Sequence, residues 1–146
     1  MGLRFFTVYG EWGRPDMLYL KYLDAIKKRK VIDLYNFGNH YRDFTYIDDA
    51  INAILALMKI NLKKKNEIFN ICSNNPINIK IVLNKLNKEF GKPKVKKVKK
   101  QNVDVYKTHG NNLKLMKVTK ILNLTNISDG LNNLINWTKA NIHLFK

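Results

Sequence analysis

The segment Gly2-Leu3-Arg4-Phe5-Phe6-Thr7-Val8-Tyr9-Gly10 constrains the fold more than any other. It is an apolar, β-branched run closed by glycine, which reads as a buried strand that stops at a loop. A buried parallel strand needs neighbours on both sides and cover on both faces. This one begins at the second residue, with nothing before it to pair with or to cover it. The expectation is a chain that forms part of something larger.

The rest of the chain alternates strand and helix signals. Gly13 and Pro15 mark a loop over Glu11 to Asp16, and Tyr19, Leu20, Leu23 and Ile26 then recur at helical spacing. A second strand is expected at Val31 to Tyr35, ending in a turn at Asn36-Phe37-Gly38. After another short extended piece, Asp48 and Asp49 read as the amino-terminal end of a helix whose apolar stripe is Ile51, Ile54, Leu55 and Met58. Ile68 to Cys72 is a strand candidate. Asn78 opens the cleanest amphipathic helix, Ile79, Val82, Leu83, Leu86 and Phe90, and Gly91-Lys92-Pro93 closes it. Val95 and Val98 suggest a marginal strand. A short helix is expected around Leu113 to Lys120, and a last one from Asp129, as cap, to Phe145. The alternation makes the class α/β. With 146 residues, no internal repeat and no linker, a single region over residues 1–146 is expected.

Charge is the loudest compositional signal and the least specific. The net charge is +16, but of 27 basic residues only Arg4, Arg14, Arg29 and Arg42 are arginine. Arginine is the usual choice where a planar fork grips phosphates or base edges, so the lysine excess argues against nucleic acid. It fits a compositional bias, and Lys63-Lys64-Lys65 and Lys94 to Lys100 read as solvated segments. The one cysteine, Cys72, cannot form an internal disulfide, which fits a reducing cytoplasm. No apolar run approaches the roughly 20 residues of a membrane span. His40, His109 and His143 lack metal-ligand spacing. Adjacent residues on a helix face different directions, so Asp48 and Asp49 read as capping rather than as a catalytic pair.

Two segments together carry a family resemblance. GLRFFTVYGEWGRPD (Gly2 to Asp16) resembles the strand and loop that follow the catalytic helix in UDP-glucuronate 4-epimerases. VIDLYNFGNHYRDFTYIDD (Val31 to Asp49) resembles the same family's uracil-side strand and pyrophosphate-contacting segment. Weaker matches follow in order at Phe69-Asn70-Ile71, Gly91-Lys92-Pro93, Gln101 to Thr108, and Asp129-Gly130-Leu131 with Trp137. The resemblance implies the C-terminal portion of an extended short-chain dehydrogenase/reductase fold: the last Rossmann strands plus the small substrate-binding domain.

It also implies a ligand, a UDP-sugar and in particular UDP-glucuronate. Arg42 would hold the pyrophosphate and Arg14 would sit near the uronate carboxylate, each through paired, charge-assisted hydrogen bonds. Thr7, ending the first strand, would meet the substrate, and Phe6 would lie near the nicotinamide of NAD. Asp33, Leu34 and Tyr35 would flank the uracil; Asp104 would meet the uridine ribose, with Gln101 a polar neighbour. Glu11 stands where the family usually has proline, which would loosen the loop carrying Arg14, and Asn102-Val103-Asp104 replaces the family's P-G-D.

The sequence contains no G-x-x-G-x-x-G turn for NAD and no Tyr-x-x-x-Lys in a suitable helix. The expectation is a substrate-binding part, truncated or split, catalytically silent by itself. It would hold NAD tightly only with an upstream NAD-binding half, separately encoded in the split case. A basic polyanion-binding module and a non-functional remnant stay open as alternatives. The first predicts steep salt dependence without sugar preference, the second aggregation through exposed sheet edges.

Overall fold

A computed structural model describes residues 1–61, 66–100, 104–121 and 123–145. The Lys63-Lys64-Lys65 run, Gln101 and Asn102-Val103 lie outside the described residues.

The opening run is two strands, not one. β1 (Gly2–Phe5) pairs in parallel with β5 (Ile68–Ile71), Gly2 opposite Ile68 and Phe5 opposite Ile71. The Phe6 N–H still reaches Ile71 O at 3.1 Å. The chain then changes partner: β2 (Thr7–Tyr9) runs parallel to β4 (Tyr41–Tyr46), Thr7 opposite Phe44. Thr7 therefore does not end the first strand, as expected from the sequence, but begins the second. One apolar run cannot reveal such a change of partner, because both halves are equally strand-like. β4 also pairs antiparallel with β6 (Pro76–Asn78), a strand too short to stand out in the sequence. β3 (Val31–Tyr35) pairs in parallel with β7 (Lys94–Val98), the marginal strand at Val95 and Val98.

Among the described residues, five α-helices cover these sheets: α1 (Leu18–Lys27), α2 (Ile47–Met58), α3 (Ile79–Phe90), α4 (Leu113–Thr119) and α5 (Ile127–Ala140). One hydrophobic cluster joins α1, α3 and α5 to β2, β3 and β4 through Leu20, Leu23, Ile32, Leu83, Leu86, Leu134 and Tyr46. The second joins α2 and α4 to β5 through Ala53, Leu57, Phe69, Ile71 and Leu115. The Tyr22 hydroxyl donates to Asn87 Oδ1 at 2.8 Å, fixing α1 against α3.

Cap chemistry agrees with the sequence at α3 and departs from it at α2 and α5. Asn78 accepts from the Lys80 N–H at 2.9 Å, and Gly91 closes the helix at φ 84°. At α2 the strand runs straight into the helix through Tyr46, leaving no position for a side-chain cap. Asp48 and Asp49 sit in the first turn, where the helix dipole favours carboxylates. Asp49 takes on a tertiary contact instead, accepting from the Thr125 N–H at 2.8 Å and its hydroxyl at 3.0 Å. At α5 the cap is Asn126, bonded to the Ser128 N–H, with Asp129 in the first turn.

The expected apolar stripe of α2 is also corrected. Ala50, Ala53 and Leu57 are buried, whereas Ile51, Leu55 and Met58 are 44%, 49% and 72% exposed. The helix is apolar on most of its circumference, so periodicity does not select a face. The two alanines let its backbone lie close to the β2–β4 pair. Among the described residues, no helix is long and apolar enough to cross a membrane.

Candidate functional site

The site forms where β2 and β4 run side by side and the loop before α1 folds over them. Arg42, near the start of β4, is half-buried. Its Nη1–H donates to Tyr41 O at 2.8 Å and reaches Tyr106 O at 3.4 Å. The segment after β7 lies alongside: the Tyr41 N–H donates to Tyr106 O, the Thr108 N–H to Tyr41 O, and the two tyrosine rings meet edge-on at 5.6 Å. This brings Asp104 beside Arg42. Burial pulls the Arg42 guanidinium below its ordinary pKa, and the Asp104 carboxylate opposes that fall.

Arg42 lines a cavity of about 260 Å³ with Thr7 from β2, His40, Phe44, and Asp16, Met17 and Tyr19 from the loop and α1. Ile79, Val82 and Leu83 of α3 supply its apolar wall. A cation anchored by backbone, a hydroxyl and an apolar wall form a compact anion-binding arrangement. Beyond Met17 and Tyr19 a groove of about 400 Å³ is lined by Phe6, Trp12 and Arg14. Two adjoining spaces thus hold four of the expected residues, Thr7 and Arg42 in one and Phe6 and Arg14 in the other.

Arg14 is exposed and pairs with Asp16 at 3.2 Å, their side chains 77% and 62% accessible. A surface pair of this kind contributes little to stability and leaves Arg14 free to change partner. The loop that carries it is tied down where looseness was expected. Glu11, in the position usual for proline, accepts the Tyr46 hydroxyl at 2.9 and 3.0 Å, and Asn133 Nδ2 donates to the same hydroxyl at 3.3 Å. A carboxylate here replaces ring rigidity by a hydrogen bond.

The expected uracil-side residues do not line the cavity that holds Arg42. Asp33 is exposed and lines a different cleft of about 910 Å³, with Trp12, Trp137 and Lys96. Leu34 is half-buried under Gly38, whose φ of 74° leaves no space for a side chain: an added Cβ would meet Leu34 Cδ2 at 2.9 Å. Tyr35 precedes the 3₁₀ turn at Asn36–Gly38. Gln101 is outside the described residues.

Two residues that sequence reasoning did not assign to the site stand out. Asp43, fully buried, accepts the Ser73 N–H at 2.8 Å, the Ser73 hydroxyl at 2.7 Å and the Gly110 N–H at 2.9 Å. It thereby fixes β4 to the segment that carries Asp104 and Thr108. Gly110 permits the approach, since an added Cβ would meet Phe6 Cζ at 2.8 Å. The signal was present in Arg42-Asp43-Phe44-Thr45, an acidic residue at an inward strand position. His40, only 6% exposed, is the second, and its signal is weak, because a lone histidine without metal-ligand spacing points to no site.

Residues 1–72 match the NAD dependent epimerase/dehydratase family. An uncharacterised protein of Methanocaldococcus jannaschii is 39% identical over 97% of this chain and 43% of its own length. The UDP-glucuronate 4-epimerase of Thermodesulfobacterium geofontis is 35% identical over 99% of this chain and 44% of its own. The Bacillus cereus UDP-glucuronic acid 4-epimerase, solved with UDP-glucuronic acid and NAD, superposes with a TM-score of 0.82 at 28% identity, covering 94% of this chain and 44% of that one. The chain thus spans under half the length of these relatives and has a partial α/β fold of the extended short-chain dehydrogenase/reductase type. By sequence and by fold together, the chain is a relative of the UDP-glucuronate 4-epimerases of the NAD dependent epimerase/dehydratase family.

Proposed function

We propose that this chain, as one region over residues 1–146, supplies the sugar-nucleotide side of a UDP-sugar 4-epimerase site, with UDP-glucuronate as its ligand. The observation that carries the reading is Arg42, half-buried and anchored to two carbonyls at the rim of the cavity it shares with Thr7. In that place the guanidinium takes the diphosphate and the Thr7 hydroxyl takes a sugar hydroxyl. Arg14 exchanges Asp16 for the uronate carboxylate. Asp104 meets the ribose, while Asp33, Leu34 and Tyr35 stand on the uracil side.

NAD supplies the hydride acceptor in this chemistry when bound. The residues here fit it only in part. Phe6 and Trp12 in the groove can wall a nicotinamide ring, but no glycine-rich strand–turn–helix is present for its pyrophosphate. Nor does any tyrosine of the sequence have lysine four residues on. The chain alone therefore binds substrate without turning it over. Its partner is an NAD-binding α/β half, which adds a parallel strand to β1 and covers Phe5 and Ile68, 51% and 48% exposed. Cys72, free and buried, suits a reducing cytoplasm.

Competition between UDP-glucuronate and UDP-glucose on the purified chain tests the ligand. The uronate is preferred by the parent, and Arg14→Ala loses the preference while still binding UDP-glucose. Equal affinities in the parent contradict the uronate reading. For the division of labour, the chain with NAD gives no UDP-galacturonate, and adding a homologous NAD-binding half restores it. Turnover by the chain alone contradicts that part.

A further inference from the structure

We propose that His40 is a second anion-binding group of the cavity: its Nε2 takes a phosphate oxygen of the sugar nucleotide beside Arg42 and makes binding tighten as pH falls. This rests on the reading of the cavity as the sugar-nucleotide site.

The imidazole is held firmly. The His40 carbonyl accepts the Ile79 N–H at 2.9 Å, which locks the residue between β4 and the start of α3, and only 6% of its surface is exposed. His40 lines the cavity together with Thr7, Arg42 and Phe44. Its Nε2 is enclosed and has no hydrogen-bond partner among the described residues. Native proteins rarely leave a buried polar group unpartnered, and each such group calls for an explanation, a bound ion among them. Arg42, two residues on, lines the same cavity, and a phosphate has oxygens enough for both.

Charge around the ring gives the pH dependence its sign. Burial holds the His40 pKa below its ordinary value, helped by Arg42 and Lys100 and opposed by Asp104. Asp16 faces the cavity from the loop before α1, and α3 contributes only apolar side chains to it. The free ring is therefore neutral at pH 7. An incoming diphosphate adds negative charge next to it and favours the imidazolium, so binding takes up a proton. The diphosphate diester and the uronate are fully ionised between about pH 5.5 and 8, leaving His40 as the group that changes.

Calorimetric titration of UDP-glucuronate into the chain from pH 8 to pH 5.5, in two buffers of different ionisation heat, is the test. The dissociation constant should fall by up to about tenfold over that range with proton uptake, the limit set by a rise of about one pKa unit in His40. His40→Gln should bind more weakly at pH 5.5 and show a flat profile, while Arg42→Ala loses affinity at every pH. NMR titration of the His40 imidazole in the parent protein, with and without ligand, reads the same shift without a variant. A parent that binds through Arg42 but shows no proton uptake and no shift of His40 overturns this inference alone. A parent that binds at no pH overturns it together with the substrate reading.

Discussion

Asp43 and Cys72 lie a few residues from the cavity, and burial gives them opposite fates. Asp43 is completely enclosed but accepts three donors, so its charge is compensated. In Asp43→Asn, Oδ1 can still serve Ser73, but an amide nitrogen would face the Gly110 N–H. We expect a loss of about 2 kcal/mol in urea unfolding, from a buried donor left facing a donor. Cys72 is 1% exposed, and desolvation, reinforced by the Asp43 carboxylate, pushes its thiol up to about 11. It should resist thiol reagents at pH 8 in the folded protein and react readily in urea. His40 adds a pH term to stability. Its folded pKa lies below the unfolded value of about 6.5, so the unfolded state binds more protons as pH drops. The contribution is present above about pH 6.5 and lost as pH falls through the folded value; the urea midpoint should drop more below pH 6 in the parent than in His40→Gln. At this scale the sequence marked the arginines through their scarcity among lysines. It marked Asp43 only as an acidic residue within a strand, and His40 not at all, because their roles come from enclosure by distant segments.

Elements show where sequence patterns carry information and where they do not. The polar–apolar contrast of α3 selected its face and its Asn78 cap, and both are found in place. Asn78→Ala should cost about 1 kcal/mol in thermal or urea unfolding. In α2 nearly every position is apolar, so the pattern carries no direction. Packing chooses the face with Ala50 and Ala53, which are small enough for close approach to β2 and β4. The two faces are separated by a paired measurement: Leu57→Ala should destabilise by about 2–5 kcal/mol, and Leu55→Ala by less than about 0.5 kcal/mol. The first strand behaves similarly. Its composition showed a strand, but only the pairing of Phe5 with Ile71 and Thr7 with Phe44 shows the change of partner that places Thr7 in the cavity.

At the scale of the molecule, three short sheets, two hydrophobic clusters and a lysine-rich surface present one backbone-anchored arginine to a small cavity. The α/β class was legible because strands and helices alternate along the chain. The arrangement of the site was not, since Asp104 reaches Arg42 through hydrogen bonds between Tyr41, Tyr106 and Thr108, residues ordinary in themselves. The proposed UDP-sugar site stands or falls with Arg42. The deciding experiment is calorimetric titration of UDP-glucuronate into the parent and Arg42→Ala at two salt concentrations. Saturable binding by the parent is expected, with a loss of about 10–100-fold in the variant, the equivalent of about 1.5–3 kcal/mol for a charged hydrogen-bond pair. Equal binding by both proteins, weakening with salt alone, would contradict it and return the surface to a general polyanion binder.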